Sequence, residues 1–156
     1  MNSVRVKDLS KFMSLLFSSE RLDGLYISEG IIETFITYKI DGYTNKAFFD
    51  NSESLEEFAT WGMVRPLAKD MIKGKRVPVS IKLTLFLPSE AATSYVDGNY
   101  SDVRFLINVR FENGALHLIS ATSTKTFTLD KSFEKSWDTG FERFLSDLSV
   151  EFDKDL

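Results

Sequence analysis

The chain has no cysteine, one histidine, three prolines and eight glycines among its 156 residues. Without cysteine it can form neither a disulfide nor a thiolate nucleophile. The single histidine, His117, rules out a multi-histidine zinc site, and any histidine-dependent triad would have to use it. No two glycines have the spacing of a phosphate-binding loop or a dinucleotide fingerprint. The sequence therefore predicts no catalytic residue, no metal site and no cofactor.

Long apolar runs are also missing. Nowhere do about 18 consecutive apolar residues occur, the length that a membrane-spanning helix needs. The apolar stretch near the N-terminus is interrupted by Lys11 and by serines, and no small-residue cleavage site follows it. This stretch is therefore predicted to be a helix rather than a secretory signal. We expect no membrane partner and a cytoplasmic location.

Apolar residues are nevertheless plentiful. They make up 43% of the chain and include 14 Phe, 5 Tyr and 2 Trp. A chain of this length can bury roughly 70% of its unfolded surface, which is enough for one core. We expect a single α+β domain over residues 1–156.

Charge is distributed unevenly along the chain. The net charge is −4, and residues 130–156 hold eight of the 23 acids but only four of the 19 bases. The rest of the chain is electrically balanced. The acidic tail over residues 149–156 is predicted to fray, because the last few residues of a domain are often poorly ordered.

Hydrophobic periodicity predicts a mostly antiparallel sheet with about four helices, in the order β-α-β-β-β-α(kinked)-β-α-β-β-α. Ser54 and Glu57 have the spacing of a helix capping box, and Pro66 indicates a break in the helix that follows. Gly30 is predicted to reverse the chain between two strands. The main strands are predicted at Ile31 to Ile40, Val79 to Leu87, Val103 to Phe111 and Leu116 to Thr126.

Positions on these strands that point away from the expected core are mostly basic. They are Lys39, Lys82, Arg104, Arg110 and Lys125, with only Glu33 as an opposing acid. Phe35 and Phe86 share their parity, and such a basic and aromatic mixture is typical of single-stranded nucleic-acid platforms. The alternative is that the last helix packs across this face, so that Glu134, Asp138 and Glu142 neutralise the cations.

A second basic group lies on a predicted helix and just beyond its end. Its members are Arg65, Lys69, Lys73, Lys75 and Arg76. Arg65, Lys69 and Lys73 follow one another at intervals of four residues, so they form a basic stripe along the predicted helix, opposite its apolar stripe. Cations near a helix C-terminus also complement the helix dipole, so this group has a structural explanation as well as a binding one.

Three stretches resemble an uncharacterised protein family from clostridial bacteria. They are Ile40 to Gly42 with Lys46 to Phe49, residues 61–78 (WGMVRPLAKDMIKGKRVP) and residues 126–137 (TFTLDKSFEKSW). That family has no assigned activity, so the resemblance implies no functional residue. The order of elements is also similar to a single domain of a DNA sliding clamp, which implies a clamp-like alternative for the fold alone.

These observations favour a non-enzymatic binding or adaptor protein with a basic sheet face. The expected partner is an anionic ligand, a nucleic acid or an acidic protein. Two alternatives stay open at this point. One is an enzyme of unrecognised type that uses His117 for proton transfer, and the other is a structural protein that self-associates into a homo-oligomer.

Overall fold

The computed structural model describes residues 1–51, 53, 55–98, 100–127 and 129–155. One antiparallel sheet of seven strands runs through it in the order β3-β2-β4-β5-β6-β1-β7. The strands are β1 Ser3–Val6, β2 Tyr26–Glu33, β3 Thr37–Asp41, β4 Ser80–Phe86, β5 Val103–Glu112, β6 Ala115–Thr124 and β7 Phe152–Lys154, and the helices are α1 Leu9–Ser18, α2 Trp61–Met71, α3 Ser89–Ala92 and α4 Ser132–Asp147. The predicted α+β class is confirmed.

Local sequence signals explain several of these elements. In β4, Ile81, Leu83 and Leu85 are buried and alternate with more exposed residues, as expected for a strand with one face on a core. Asn113 and Gly114 both have positive φ and join β5 to β6 in a tight hairpin. The alternation of apolar residues and the Asn113-Gly114 turn therefore explain the central strands of the sheet.

The helices α1, α2 and α4 share one core with one face of the sheet. Their buried side chains, including Phe17, Trp61, Trp137 and Phe141, belong to the same cluster as alternate residues of the strands. We call this side of the sheet the covered face and the opposite side the open face. Among the described residues, no helix is long and apolar enough to cross a membrane.

The chain reversal predicted at Gly30 is wrong. Gly30 lies within β2, and the chain turns at residues 34–36 before β3 begins. A Cβ at Gly30 would lie 2.8 Å from Leu83 Cδ2, so a larger residue here would require the Leu83 side chain to shift. The predicted strand over Ile31 to Ile40 is thus two strands joined by a short turn.

The helix predicted from Ser54 is also wrong in its described part. Residues 55–60 form no helix, and Phe58 forms a β-bridge with Tyr43, while Ser54 lies outside the described residues. Earlier in the chain, Lys46–Phe48 form a 3₁₀ turn. Helix α2 passes through Pro66 without the predicted break.

The C-terminal segment that is predicted to fray carries the last strand of the sheet. Residues Phe152–Lys154 form β7, which pairs with β1 in the register Arg5↔Asp153. The backbone N–H of Asp155 also donates to the Ser3 carbonyl at 2.9 Å. Backbone pairing at the sheet edge therefore orders this acidic segment, and Leu156 lies outside the described residues.

Candidate functional site

Helix α4 packs on the covered face. Trp137 is fully buried against Phe105, with ring centroids 5.9 Å apart, and the Ser120 hydroxyl donates to Asp138 at 2.7 Å. Ser120 lies opposite Ile107, whereas Arg110 lies opposite His117 and points to the other face. The alternative in which the last helix covers the basic strand positions is therefore wrong.

The acids of α4 do not neutralise the strand cations either. Asp138 binds the N-terminal ammonium at 2.9 Å, and its backbone carbonyl accepts from Asn2. Glu142 pairs with Lys154 at 3.2 Å. The predicted pairing of these acids with the basic strand positions is wrong, because α4 and the cations lie on opposite sides of the sheet.

Four cationic or titratable side chains lie side by side across the open face. Lys82 on β4 is opposite Arg110 on β5, Arg110 is opposite His117 on β6, and His117 is opposite Arg5 on β1. We call Lys82, Arg110, His117 and Arg5 the basic row. Adjacent strands are about 4.8 Å apart, so the row is compact.

Lys39 lies further along the same line, with Ile31 between it and Lys82. Arg5 is not among the predicted site residues. The pairing of β1 with β6 joins segments more than a hundred residues apart, and no local pattern in the sequence indicates it.

Two adjacent cations of the row, Lys82 and Arg110, have no ion pair among the described residues. Lys82 and Arg110 are both exposed, and neither takes part in a salt bridge there. Like charges directly opposite each other in a sheet are destabilising, by an amount comparable to the roughly 0.2–1 kcal/mol of a favourable pair. The arrangement therefore reduces folding stability, and an anion bound over it would offset the repulsion.

The open face carries more acids than predicted. The expectation that Glu33 alone opposes the cations is wrong, because the strand registers place further carboxylates on the same face. They are Glu29, Asp41, Glu112, Asp153 and Asp155. Most of these lie on the outer strands, and Glu112 lies at the β5–β6 hairpin. The face is therefore basic at its centre and acidic at its margins.

His117 has a carboxylate partner. Its Nδ1 lies 2.9 Å from Asp155 Oδ2, and the Ser3 hydroxyl donates to the same oxygen. The hydrogen bonds from Ser3 and His117 and the positive charge of Arg5 lower the pKa of Asp155 below its usual value. The Asp155 carboxylate lies between the serine and the histidine. The Ser3 hydroxyl therefore bonds to the acid and not to the imidazole.

Arg104 lies at the far end of the open face and is already engaged. Its guanidinium carbon is 4.7 Å from the Phe58 ring centroid and 5.2 Å from that of Phe86. Glu57 approaches it at 3.6 Å. Phe86 is only 6% exposed because Phe58 packs on it, and Phe35 lies in the turn between β2 and β3. Phe86 and Phe35 therefore do not form a shared exposed aromatic surface beside the basic strand positions, and a nucleic-acid partner stays a prediction.

A cavity of about 450 Å³ opens beside Arg104. Lys125 also lines it, together with four acids, Glu56, Glu57, Glu90 and Asp102. Burial raises the pKa of Tyr26 on the cavity wall, and the nearby Glu56 carboxylate adds to the effect. This cavity is more acidic than basic, so Arg104 and Lys125 do not extend the basic row.

The helix cations belong to the other side of the molecule. Arg65 forms a bidentate ion pair with Asp23, at 2.8 and 3.0 Å, which ties α2 to the loop before β2. Lys69 and Lys73 on and after α2, and Lys75 and Arg76 beyond it, are exposed. Because α2 is part of the helical layer, the structure does not bring these residues together with the basic row.

Comparison with known proteins gives a match at the level of a protein family. No curated protein and no solved structure matches the chain significantly, so the sliding-clamp resemblance finds no counterpart there. The model of a family of unknown function, DUF5721, matches residues 15–153. The predicted resemblance to an uncharacterised family is confirmed, and the chain belongs to this family of unknown function.

Proposed function

We propose that the protein is a non-enzymatic binding or adaptor protein whose basic row binds an acidic segment of a partner protein. One observation carries the proposal: Lys82 and Arg110 are exposed, adjacent and without ion pairs among the described residues. A fold gains nothing from opposed like charges. A bound carboxylate would contact both side chains and replace their repulsion by attraction.

The charge pattern favours a protein partner over a nucleic acid. A nucleic-acid strand is uniformly negative and would meet the marginal acids Glu29, Glu112 and Asp153 wherever it extends beyond the row. A protein surface can place acids opposite the row and bases opposite the margins. The net charge of −4 also opposes non-specific phosphate binding.

A cytoplasmic location is part of the proposal, because the chain has no cysteine.

The geometry around His117 gives an enzyme less support. A serine nucleophile needs its hydroxyl on the imidazole base, but the Ser3 hydroxyl bonds to Asp155. His117 lines neither the cavity beside Arg104 nor the smaller one of about 240 Å³ between α1 and residues 148–151. A reacting group would therefore have little enclosure at this position.

The experiment compares two double charge reversals. Lys82→Glu with Arg110→Glu changes the row, and Lys69→Glu with Lys73→Glu changes the helical side by the same net charge. Fluorescence anisotropy would measure the binding of labelled poly-glutamate and of labelled oligo-dT, at about 50 mM and about 200 mM salt.

We expect wild type to bind poly-glutamate in a salt-sensitive way, and the row variant to bind about tenfold more weakly, or about 1.4 kcal/mol. The helix variant should keep most of the affinity. Equal losses in the two variants, or no binding by wild type, would contradict the proposal. Tighter binding of oligo-dT than of poly-glutamate would show that the partner is a nucleic acid instead.

A further inference from the structure

The edge of the sheet at β3 is open. Strand β3, Thr37–Asp41, pairs with β2 on one side only. No described residue makes a backbone hydrogen bond to its other side. An unpaired edge exposes a row of N–H and C=O groups that can pair with another strand. This edge therefore offers a place for β-strand addition.

We propose that a second copy of this chain adds to this edge, antiparallel, in a register centred on Ile40. In that register Lys39 lies opposite Asp41 of the partner subunit, and Asp41 lies opposite the partner's Lys39. These two ion pairs are equivalent by the two-fold symmetry. Opposite charges at directly facing positions stabilise strand pairing, so β3 is complementary to itself.

The neighbouring registers lack this complementarity. Facing residues in an antiparallel pair point to the same face of the sheet. The alternative symmetric registers are therefore those centred on a neighbouring residue of β3. A centre at Lys39 places Lys39 against the partner's Lys39, and a centre at Asp41 places two aspartates together. A centre at Tyr38 leaves both charges facing uncharged side chains.

Flanking residues agree with the same register. Tyr43 is 57% exposed and would face Thr37 of the partner subunit, which is also exposed. Aromatic side chains next to β-branched ones form favourable cross-strand pairs. Lys39 also disfavours pairing with unrelated strands, because most strands would place no acidic residue opposite its charge.

The two-fold axis of such a pair is perpendicular to the sheet. The two seven-stranded sheets would then form one continuous sheet with both open faces on the same side. This inference concerns the backbone and charges of β3 and does not depend on the function proposed for the basic row. Failure of either proposal leaves the other intact.

Cysteine cross-linking tests the register, since the natural chain has no cysteine to interfere. With the centre at Ile40, an Ile40→Cys pair has its Cα atoms within the 4.4–6.8 Å range that a disulfide needs. Tyr38→Cys is the matched control, because the two copies of that position would be about 13 Å apart. Mild oxidation should cross-link the first variant into a dimer and leave the second a monomer.

A folded Ile40→Cys variant that stays monomeric would overturn the inference. Equal cross-linking of both variants would do the same, because it would indicate random collision. Circular dichroism and thermal melting would confirm that both variants are folded.

Charge exchange is a second test that leaves Ile40 unchanged. Lys39→Asp and Asp41→Lys each place like charges opposite one another, so each variant alone should sediment as a monomer at concentrations where wild type dimerises. Their mixture restores both ion pairs and should form a heterodimer. A small edge contact binds weakly, so sedimentation should extend to about 1 mM protein. A mixture that stays monomeric while wild type dimerises would contradict the register.

Discussion

The covered and open faces of this sheet come from the same strands but have opposite character. Along β5, Phe105, Ile107 and Val109 are buried under the helices, while Arg104 and Arg110 alternate with them on the other side. The covered face gains stability by removing apolar surface from water. The open face holds like charges together and loses some stability. We infer that the covered face specifies the fold and that the open face is free to bind.

Removal of a core aromatic should give the largest effect. Phe141 is fully buried, so Phe141→Ala should lower the free energy of unfolding by about 3–5 kcal/mol through lost burial and a cavity. Phe35→Ala, at a position 89% exposed, is the matched control and should change it by less than about 0.5 kcal/mol. Urea denaturation of both variants measures the difference. Equal losses of unfolding free energy in the two variants would contradict the claim that the covered face provides the stability.

Loss of a buried polar contact should have an intermediate effect. The Ser120 hydroxyl accepts from the Asn2 N–H at 2.8 Å and donates to Asp138. Ser120→Ala removes both hydrogen bonds and should cost about 1–3 kcal/mol. Ser123→Ala, on the exposed end of the same strand, should cost almost nothing. Thermal unfolding of the two variants should separate them clearly, and equal melting temperatures would refute the role given to Ser120.

On the open face, removal of a charge should raise stability. Lys82→Thr and Arg110→Thr should each increase the free energy of unfolding by about 0.2–1 kcal/mol, because either one relieves the repulsion. The double variant should gain less than the sum of the two, since the repulsion can be removed only once. A double-mutant cycle at low and high salt measures this coupling. Additive effects, or losses in both single variants, would show that the two side chains do not repel each other.

The smallest effect should come from Asp155 and depend on pH. Its pKa is lowered in the folded protein, so its contribution to stability is present above the unfolded value of about 3.9 and is lost as pH falls through the folded pKa. Wild type should therefore melt slightly above Asp155→Ala at neutral pH, and the gap should close in acid. Melting temperatures from pH 7 to pH 2 would check this, and a gap that is constant or grows in acid would contradict it.

Local patterns predicted the central strands well. The alternation in β4 and β5 and the Asn113-Gly114 turn depend on neighbouring residues, and Lys82 and Arg110 are exposed on one face as expected. The sequence signal for these elements is short-range and strong. This part of the candidate site could therefore be predicted before the structure.

Long-range and irregular features could not be predicted. A register shift between Ile27 and Glu29 changes which residues of β2 face outward, and it brings the Glu29 carboxylate onto the open face. Arg5 joins the basic row only through the pairing of β1 with β6. The choice of face by α4 was also ambiguous, because both faces of the predicted sheet offered apolar residues for it to cover.

The most direct test of the central claim is an NMR titration of isotopically labelled protein with poly-glutamate. If the open face is the binding surface, the largest amide shifts should fall on Lys82, Arg110, His117 and Arg5, from four different segments of the chain. They should weaken together as salt is added. Shifts concentrated on α2 around Lys69, or absent throughout, would contradict the account.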